Sequence, residues 1–280
     1  MNLDNLIKEG SRSLKEKNIN TCTLDAELLL SNVMGTTKEF LFLNGNLNIS
    51  QKKIKKYKEL IKRRVQKEPI AYIVGKKEFW SQDFIVNSST LVPRPETELM
   101  LYKLVKYFRN KKINILDIGT GSGCILLSLL KELKKSRGIG IDISNLAIQT
   151  AIRNSKALNL INRSKFKACD LNEFNFGKYD LIVSNPPYIP TRDIKSLSQD
   201  ITNFEPLIAL NGGKDGLDLI KKVIYKSSIL LKKNGLFSLE IGTNQYTKVI
   251  NIMSRYKFRI TSKEYDCNKN VRCIISTKHN

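Results

Sequence analysis

Four consecutive residues, Asn185-Pro186-Pro187-Tyr188, follow an apolar run at 180–184 that is typical of a buried strand. In doubly wound folds, ligands bind beyond the carboxyl ends of such strands. Proline has no backbone N–H, so Pro186 and Pro187 form a rigid turn whose free backbone groups are acceptors. The side-chain oxygen of Asn185 and the carbonyl of Pro186 can then accept both N–H bonds of one planar NH₂ group, while Tyr188 stacks on it. The motif predicts a receptor for an amide or an exocyclic amine.

Asparagine and proline are also ordinary turn formers, so a purely structural turn is the alternative interpretation of this motif. Its position favours function, because a glycine-rich loop and two acidic residues at strand ends precede it. An amide nitrogen is a poor nucleophile, since its lone pair is delocalised. Hydrogen bonds that fix the NH₂ group would therefore stabilise the transition state for its substitution selectively.

A glycine-rich segment lies between a predicted strand and a helical run and consists of Gly119, Thr120, Gly121, Ser122 and Gly123. Glycines let the backbone turn tightly and approach a ligand at a helix N-terminus. Asp142 ends the next predicted strand, about 20 residues later, where a carboxylate can accept the hydroxyls of a ribose. These features together predict a nucleoside site.

A dinucleotide could use the same features, so the glycine spacing has to discriminate. The fingerprint Gly-x-Gly-x-x-Gly requires glycine where Cys124 stands. Glycines at 119, 121 and 123 after Asp117 resemble instead an S-adenosylmethionine-binding loop. Asp170 ends the third predicted strand and can accept from an adenine amino group, with a solvated strand-end acid as the alternative. Leu171 can add an apolar or backbone contact to adenine.

The side chains that usually perform acid–base and metal chemistry are scarce. The chain has one histidine, His279, and five cysteines with no Cys-x-x-Cys pair. These counts argue against histidine-based triads, metal sites and disulfide frameworks, and they favour a reducing cytoplasm. Methyl transfer from a sulfonium is an in-line displacement that needs alignment more than acid–base catalysis, so it suits a site without imidazole and without a metal.

The composition describes an ordinary globular protein. A length of 280 residues suits one larger and one smaller domain, and 41% hydrophobic residues can form a real core. No basic leader is evident and no apolar run approaches the roughly 20 residues of a membrane span, so we expect a soluble protein with no membrane partner. The net charge of +22 suggests an anionic partner, but the codon bias of an AT-rich genome explains it equally well.

Three segments are predicted along the chain. Residues 1–68 have helical periodicity and form a small N-terminal helical bundle, and residues 69–92 form a linker that contains a β-hairpin. Within 93–280, buried strands alternate with helices, which is typical of an α/β domain with a mostly parallel sheet. Residues 258–265 and 271–276 predict an antiparallel hairpin at the edge of that sheet.

Several further segments make the sequence resemble the HemK/PrmC family, the methyltransferases that modify a glutamine of peptide-chain release factors. Besides the glycine loop and 185–188, they are Pro69-Ile70-Ala71-Tyr72 with Gly75, Phe79-Trp80, residues 93–98, Glu205-Pro206 with Ala209-Leu210, Gly213 with Asp215-Gly216-Leu217, and Glu240-Ile241-Gly242 with Gln245. The resemblance covers nearly the whole chain.

This resemblance implies a Rossmann-like class I methyltransferase domain that binds S-adenosylmethionine through residues 119–123, Asp142 and Asn185. Residues 185–188 are implied to hold the glutamine of a Gly-Gly-Gln motif in the release factor. The helical N-terminal domain is implied to dock that release factor, and we expect the enzyme to be a monomer. Leu171 occupies a position that can be aromatic in relatives, which leaves stacking on adenine open.

The main alternative is a methyltransferase that acts on an exocyclic amino group of nucleic acid, because the same four-residue motif receives that group. No separate basic domain with interleaved aromatic residues is evident, so no stable nucleic-acid partner is expected. An inactive adaptor that only binds cofactor is disfavoured by the intact motif. Arg94 and Glu205 stay open between roles near the substrate and structural roles in a helix start and a turn.

Overall fold

The computed structural model describes residues 1–278, so His279 lies outside the described residues. Its α-helices are α1 (Leu3–Lys15), α2 (Cys22–Met34), α3 (Lys38–Leu43), α4 (Gln51–Val65), α5 (Ile70–Val74), α6 (Glu98–Phe108), α7 (Cys124–Glu132), α8 (Asn145–Ala157), α9 (Gln199–Phe204), α10 (Asp218–Leu230) and α11 (Tyr246–Arg255). Its strands are β1 (Lys76–Phe79), β2 (Gln82–Ile85), β3 (Asn114–Ile118), β4 (Arg137–Asp142), β5 (Ser164–Ala168), β6 (Tyr179–Ser184), β7 (Leu231–Glu240), β8 (Phe258–Tyr265) and β9 (Val271–Lys278). Short 3₁₀ helices run Pro95–Thr97, Thr191–Ser196 and Leu207–Ala209.

The chain forms two compact units. The first consists of Met1–Gly75 together with Ser198–Phe204, and the second of Lys76–Leu197 together with the residues from Glu205 onwards. Helix α5 therefore belongs to the first unit, and the hairpin strands β1 and β2 belong to the second. Among residues 1–278, no helix combines the length and the apolar character that crossing a membrane requires.

Helix α4 shows how the first unit forms its core. Its buried face consists of Ile54, Tyr57, Leu60 and Ile61, spaced three or four residues apart, while lysines occupy most of the solvent side. These side chains pack with apolar residues of α1, α2, α3 and α5 in one continuous cluster. Apolar periodicity thus positions the helices, because each buries one stripe against the others.

The first unit also contains a buried ion pair. Arg64 Nε donates to Asp25 Oδ2 at 2.7 Å, and the two side chains are only 10% and 4% exposed. Arg64 also donates to the carbonyl of Glu68. A charge buried in this way depends on its partner, because water no longer solvates it.

We expect Arg64→Met to destabilise the first unit by about 3 kcal/mol, because the variant leaves the Asp25 carboxylate buried without its counter-ion. The matched control is Lys58→Met, which breaks the exposed pair between Lys58 and Glu9 and should cost less than about 1 kcal/mol. Chemical unfolding followed by circular dichroism measures both. Equal effects of the two substitutions would show that burial of the pair does not matter.

The hairpin that opens the second unit turns at Trp80 and Ser81. Trp80 and Ser81 are the two loop residues, with φ of 51° and 55°, whereas Gln82 already belongs to β2. Two-residue loops with positive φ at both positions match the twist of the strands that they join. The backbone N–H of Trp80 donates to Glu98 Oε1 and its indole N–H to Glu132 Oε1, which holds the turn in place.

The second unit is built on a seven-stranded sheet with the order β5-β4-β3-β6-β7-β9-β8. Strands β3 to β7 are parallel, while β9 pairs antiparallel with both β7 and β8. Separate apolar clusters cover the two faces, which explains the continuous hydrophobic runs of the central strands. The predicted α/β sheet with an antiparallel edge hairpin is confirmed.

Strand β7 begins at Leu231. Lys232, Lys233, Asn234 and Gly235 have the composition of a loop, yet Leu231 pairs with Tyr179 and a bulge absorbs the register shift. Tertiary pairing with β6 therefore overrides the local preference of these residues.

The strand order reverses direction between β3 and β6. From β3 the chain proceeds outward through β4 and β5, and it then returns to place β6 on the other side of β3. Helices leave the carboxyl ends of β3 and β6 in different directions at such a point, which opens a crevice there. The predicted site segments follow these strand ends.

Candidate active site

A cavity of about 410 Å³ lies at the carboxyl ends of β3, β4, β5 and β6. Residues of the second unit alone line it. The lining brings together most of the residues that the sequence singles out: Gly119, Thr120, Gly121, Ser122, Asp142, Asp170, Leu171, Asn185, Pro186 and Pro187. Gly123 and Tyr188 are outside this lining. Four segments distant in sequence thus converge on one space.

Hydrogen bonds from backbone and side-chain groups fix the position of the glycine loop after β3. The N–H groups of Gly119 and Thr120 both donate to the carbonyl of Ile141 at 2.9 Å. Asn154 of α8 donates to the carbonyl of Ser122 at 2.9 Å, and to that of Ile85 in β2 at 3.0 Å. The loop is therefore positioned before any ligand binds.

Gly119 and Gly121 have φ of 72° and 55°, and an added Cβ at either would find no atom within 4 Å. Their backbone thus faces open cavity space, which suits close approach by a ligand. Gly123 has a different role. Gly123 has φ of 81° and is the N-cap residue of α7. A Cβ added at Gly123 would contact Leu127 and Ala151, so this glycine is needed for the packing of the loop.

Asp142 links the glycine loop to the start of α8. Its Oδ2 accepts from the N–H of Gly121 and its Oδ1 from the N–H of Ser144, both at 2.9 Å. Burial raises the pKa of Asp142, while these backbone bonds oppose that rise. Each carboxylate oxygen keeps a further lone pair, so the group can still accept from ribose hydroxyls.

The far wall of the cavity combines polar and apolar groups that suit an adenine ring. Asp170 and Leu171 line it, and Asp170 Oδ1 also accepts from the N–H of Asn172 at 2.6 Å. Ile143 and Cys169 line it too, and the sequence analysis did not identify them. Their adjacency to Asp142 and Asp170 is the signal that could have found them. Carboxylate acceptors together with apolar lining residues fit a nucleoside such as that of S-adenosylmethionine.

The turn after β6 is clamped on several sides. Asn185 Nδ2 donates to Thr97 Oγ1 at 3.1 Å, and Gln245 Nε2 donates to the carbonyl of Tyr188 at 2.9 Å. The hydroxyl of Ser184 donates to the carbonyl of Ile118, which joins the ends of β6 and β3. The turn is thus rigid, as the two prolines predict.

Tyr188, for which the sequence predicts stacking on the acceptor group, is outside the residues that line the cavity and takes part in a set of polar contacts. Its hydroxyl donates to Glu240 Oε1 at 3.3 Å and accepts from Arg272 at 2.8 Å. The guanidinium of Arg272 also lies 5.4 Å from its ring centroid. One face of the ring therefore lies against the guanidinium. Burial raises the pKa of Tyr188 to about 12, so the hydroxyl keeps its proton at neutral pH.

Glu240 is a buried carboxyl at the end of β7. Burial raises the pKa of Glu240, whereas its contacts with Thr97, Arg272 and Tyr188 oppose that rise. Thr97 Oγ1 donates to Glu240 Oε2 at 2.7 Å. Thr97, which lines the cavity, lies within the segment 93–98 that the resemblance singled out, but the sequence assigned no role to it, and Arg272 lies in no such segment.

Arg94 and Glu205 form a pair 2.6 Å apart, and the Glu205 carboxylate also accepts from the N–H of Val92. Arg94 lines the cavity and Glu205 is buried behind it. The pair connects residues 111 positions apart, so it orders the loop after α9 at the edge of the cavity.

Comparisons with known proteins agree with this architecture. A family model described as the PrmC N-terminal domain matches residues 5–75, and one described as a methyltransferase domain matches residues 109–258. A release factor glutamine methyltransferase from Clostridium acetobutylicum is 37% identical over 279 residues, covering 98% of each chain. Another, from Buchnera aphidicola subsp. Schizaphis graminum, is 37% identical over 278 residues, covering 99% of this chain and 100% of that one. A methyltransferase structure from Pyrococcus furiosus shares the fold, with a TM-score of 0.54 at 16% identity over 71% of this chain and 89% of that chain.

These matches define the class of the protein as an S-adenosylmethionine-dependent class I methyltransferase. Within that class, the chain belongs to the family of release factor glutamine methyltransferases. The cofactor, the fold class and the HemK/PrmC resemblance predicted from the sequence are confirmed. The roles of individual residues in the cavity stay predictions.

We expect Asp142→Ala to weaken S-adenosylmethionine binding by about tenfold to a hundredfold, because it removes charged acceptors for the ribose. Asp142→Asn keeps one oxygen and should lie between wild type and alanine. Calorimetric titration measures the affinities, with Asp83→Ala, an exposed acid of the hairpin, as control. Wild-type affinity in a folded Asp142→Ala protein would exclude Asp142 from the ribose site.

Proposed function

We propose that this protein transfers a methyl group to the side-chain amide nitrogen of the glutamine in the Gly-Gly-Gln motif of peptide-chain release factors. The observation that carries this proposal is the orientation of Asn185 at the cavity. Its Nδ2 donates to Thr97, so the remaining polar atom of the side chain is its oxygen, an acceptor, and Pro186, whose carbonyl is a second acceptor, lines the same cavity. Two adjacent acceptors suit the two N–H bonds of an amide.

S-adenosylmethionine supplies an electrophilic methyl group when bound. Asn185 and Pro186 hold the NH₂ group of the acceptor, which limits its rotation and favours the tetrahedral geometry that develops at nitrogen. The nitrogen loses one of its two protons to solvent when it takes the methyl group, so the product is a secondary amide. Alignment of this kind can supply much of the rate acceleration without a general base, because the reacting groups no longer have to find their orientation.

The identity of the substrate is supported by the names of the relatives. Proteins that match this chain at 34–37% identity over nearly its full length are called release factor glutamine methyltransferases. We propose a cytoplasmic location for the enzyme, because its substrate would be found there. The proposal also assigns release-factor docking to the helical segment that we predicted at 1–68, which lies within the region matched by the PrmC N-terminal model. A monomeric state stays a prediction.

The direct test is mass spectrometry of a purified release factor after incubation with this protein and S-adenosylmethionine. We expect a single added methyl group on the glutamine, and Asn185→Ala should lower the rate by about a hundredfold to a thousandfold, because alanine offers no acceptor. Asn185→Asp keeps an acceptor and should retain partial activity, which gives the order wild type, Asp, Ala.

A thermal melt shows whether each variant is folded, and saturating cofactor separates binding from turnover. Near-normal turnover by folded Asn185→Ala would eliminate the amide-receptor mechanism. Methyl incorporation into a single-stranded DNA oligonucleotide, with none into release factor, would instead identify a nucleic-acid acceptor.

Removal of residues 1–75 should leave cofactor binding intact, because residues 89–223 supply all of the cavity lining. Methylation of intact release factor should fall through a raised KM, whereas methylation of a short Gly-Gly-Gln peptide should change little. The truncation removes the residues with which segment 198–204 forms a compact unit. Calorimetric titration of the cofactor therefore serves as the control that the rest of the protein is folded. A full-length rate on intact release factor would contradict the docking role.

A further inference from the structure

Five polar side chains form a continuous series of hydrogen bonds that ends at the cavity. Arg272 donates to the Tyr188 hydroxyl at 2.8 Å, which donates to Glu240 Oε1 at 3.3 Å. On the other side of the carboxylate, Thr97 Oγ1 donates to Glu240 Oε2 at 2.7 Å, and Asn185 Nδ2 donates to Thr97 Oγ1 at 3.1 Å. Thr97 is only 3% exposed and Glu240 only 1%, so water does not compete for these bonds.

The direction of every bond in this series follows from its two charged members. A guanidinium can only donate, so the oxygen of Tyr188 accepts from Arg272 and its single proton points to Glu240. The same guanidinium lies 3.8 Å from Glu240 Oε1 and favours the ionised carboxylate, which can only accept. Thr97 must therefore donate to Glu240, which leaves its oxygen to accept from Asn185.

The last bond decides which way the Asn185 amide faces. The oxygen and nitrogen of an amide are nearly equal in size, so packing alone does not distinguish the two orientations. Thr97, as an acceptor, selects the nitrogen and turns the Asn185 oxygen away from itself. The opposite orientation would present N–H donors to the cavity in place of the acceptor oxygen, and an N–H donor suits a carboxylate oxygen better than an NH₂ group.

We propose that Thr97 and Glu240 are positioning residues that set the orientation of the Asn185 amide and thereby make the site select an amide over a carboxylate. The inference rests on the proposed function, since it concerns the same acceptor site. It also gives a physical role to two segments that the resemblance singled out. Thr97 belongs to 93–98, and Glu240 begins Glu240-Ile241-Gly242.

The test compares three variants of the full-length enzyme: Thr97→Val, Thr97→Ser and Thr150→Val. Valine has the shape of threonine without the hydroxyl, whereas serine retains it. Thr150 is the matched control, because it is a buried threonine with two hydrogen bonds and is absent from the cavity lining. Each variant is assayed for methylation of release factor, and for inhibition by a release factor in which glutamate replaces the target glutamine.

We expect Thr97→Val to lower kcat by about fivefold, the effect of one net hydrogen bond, with unchanged cofactor affinity. Inhibition by release factor that carries glutamate should strengthen relative to the KM for release factor that carries glutamine. Without the Thr97 acceptor, the Asn185 amide is turned over in part of the molecules, and it then presents its N–H donors to the cavity. Thr97→Ser should restore both values, and Thr150→Val should alter neither. General damage to the fold would weaken both ligands instead of shifting preference between them.

Wild-type kcat and wild-type preference in folded Thr97→Val would overturn the inference, and so would equal losses for both ligands. If Thr97→Val does not fold, Glu240→Gln provides the second route. The neutral amide of the new glutamine can donate to Thr97, so the direction of the hydrogen bond between Thr97 and Asn185 is no longer fixed. Preference for glutamine over glutamate should therefore fall again. Unchanged preference would overturn the inference. Absence of release-factor methylation by the wild-type enzyme would overturn the proposed function itself, and the inference with it.

Discussion

The buried carboxylate of Glu240 is the constraint on which the acceptor side of the cavity depends. An ionised group removed from water is tolerated only where hydrogen bonds and opposite charge replace its hydration. Thr97, Tyr188 and Arg272 fulfil this requirement, and they come from a 3₁₀ helix, from the turn after β6 and from β9. One charge therefore ties three separate elements to the end of β7.

The cofactor side of the cavity is organised by a different principle. There, backbone groups bind backbone groups, as in the bonds from Gly119 and Thr120 to Ile141, and single side chains such as Asn154 and Asp142 connect loop to helix. Such bonds place the loop without occupying the cavity. The two sides together suit a reaction that requires alignment of a donor and an acceptor more than proton transfer.

Much of this architecture could be predicted from local sequence. Apolar residues marked the central strands β3 and β6, because strands covered on both faces have little polar surface. Glycines at 119 and 121 marked the loop, since their positive φ is costly for other residues. Local and tertiary preferences disagree at Lys232 to Gly235, which have the composition of a loop although pairing with β6 draws this stretch into β7.

The sequence by itself determined four of the segments that line the cavity and the chemistry of their side chains, because each is a short contiguous pattern at a strand end. Only the tertiary structure decided which residues hold these side chains in place. Thr97 and Glu240 are 143 residues apart, and Arg272 and Tyr188 are 84 apart, so no spacing along the chain records their contact. The pairing of β9 with β7 carries Arg272 to the end of the parallel sheet, and that pairing depends on the packing of the whole domain. Residues that line the cavity can be recognised in the sequence by their type and by the strand end that they follow. Residues that orient them can be identified only from distances between atoms in the folded protein.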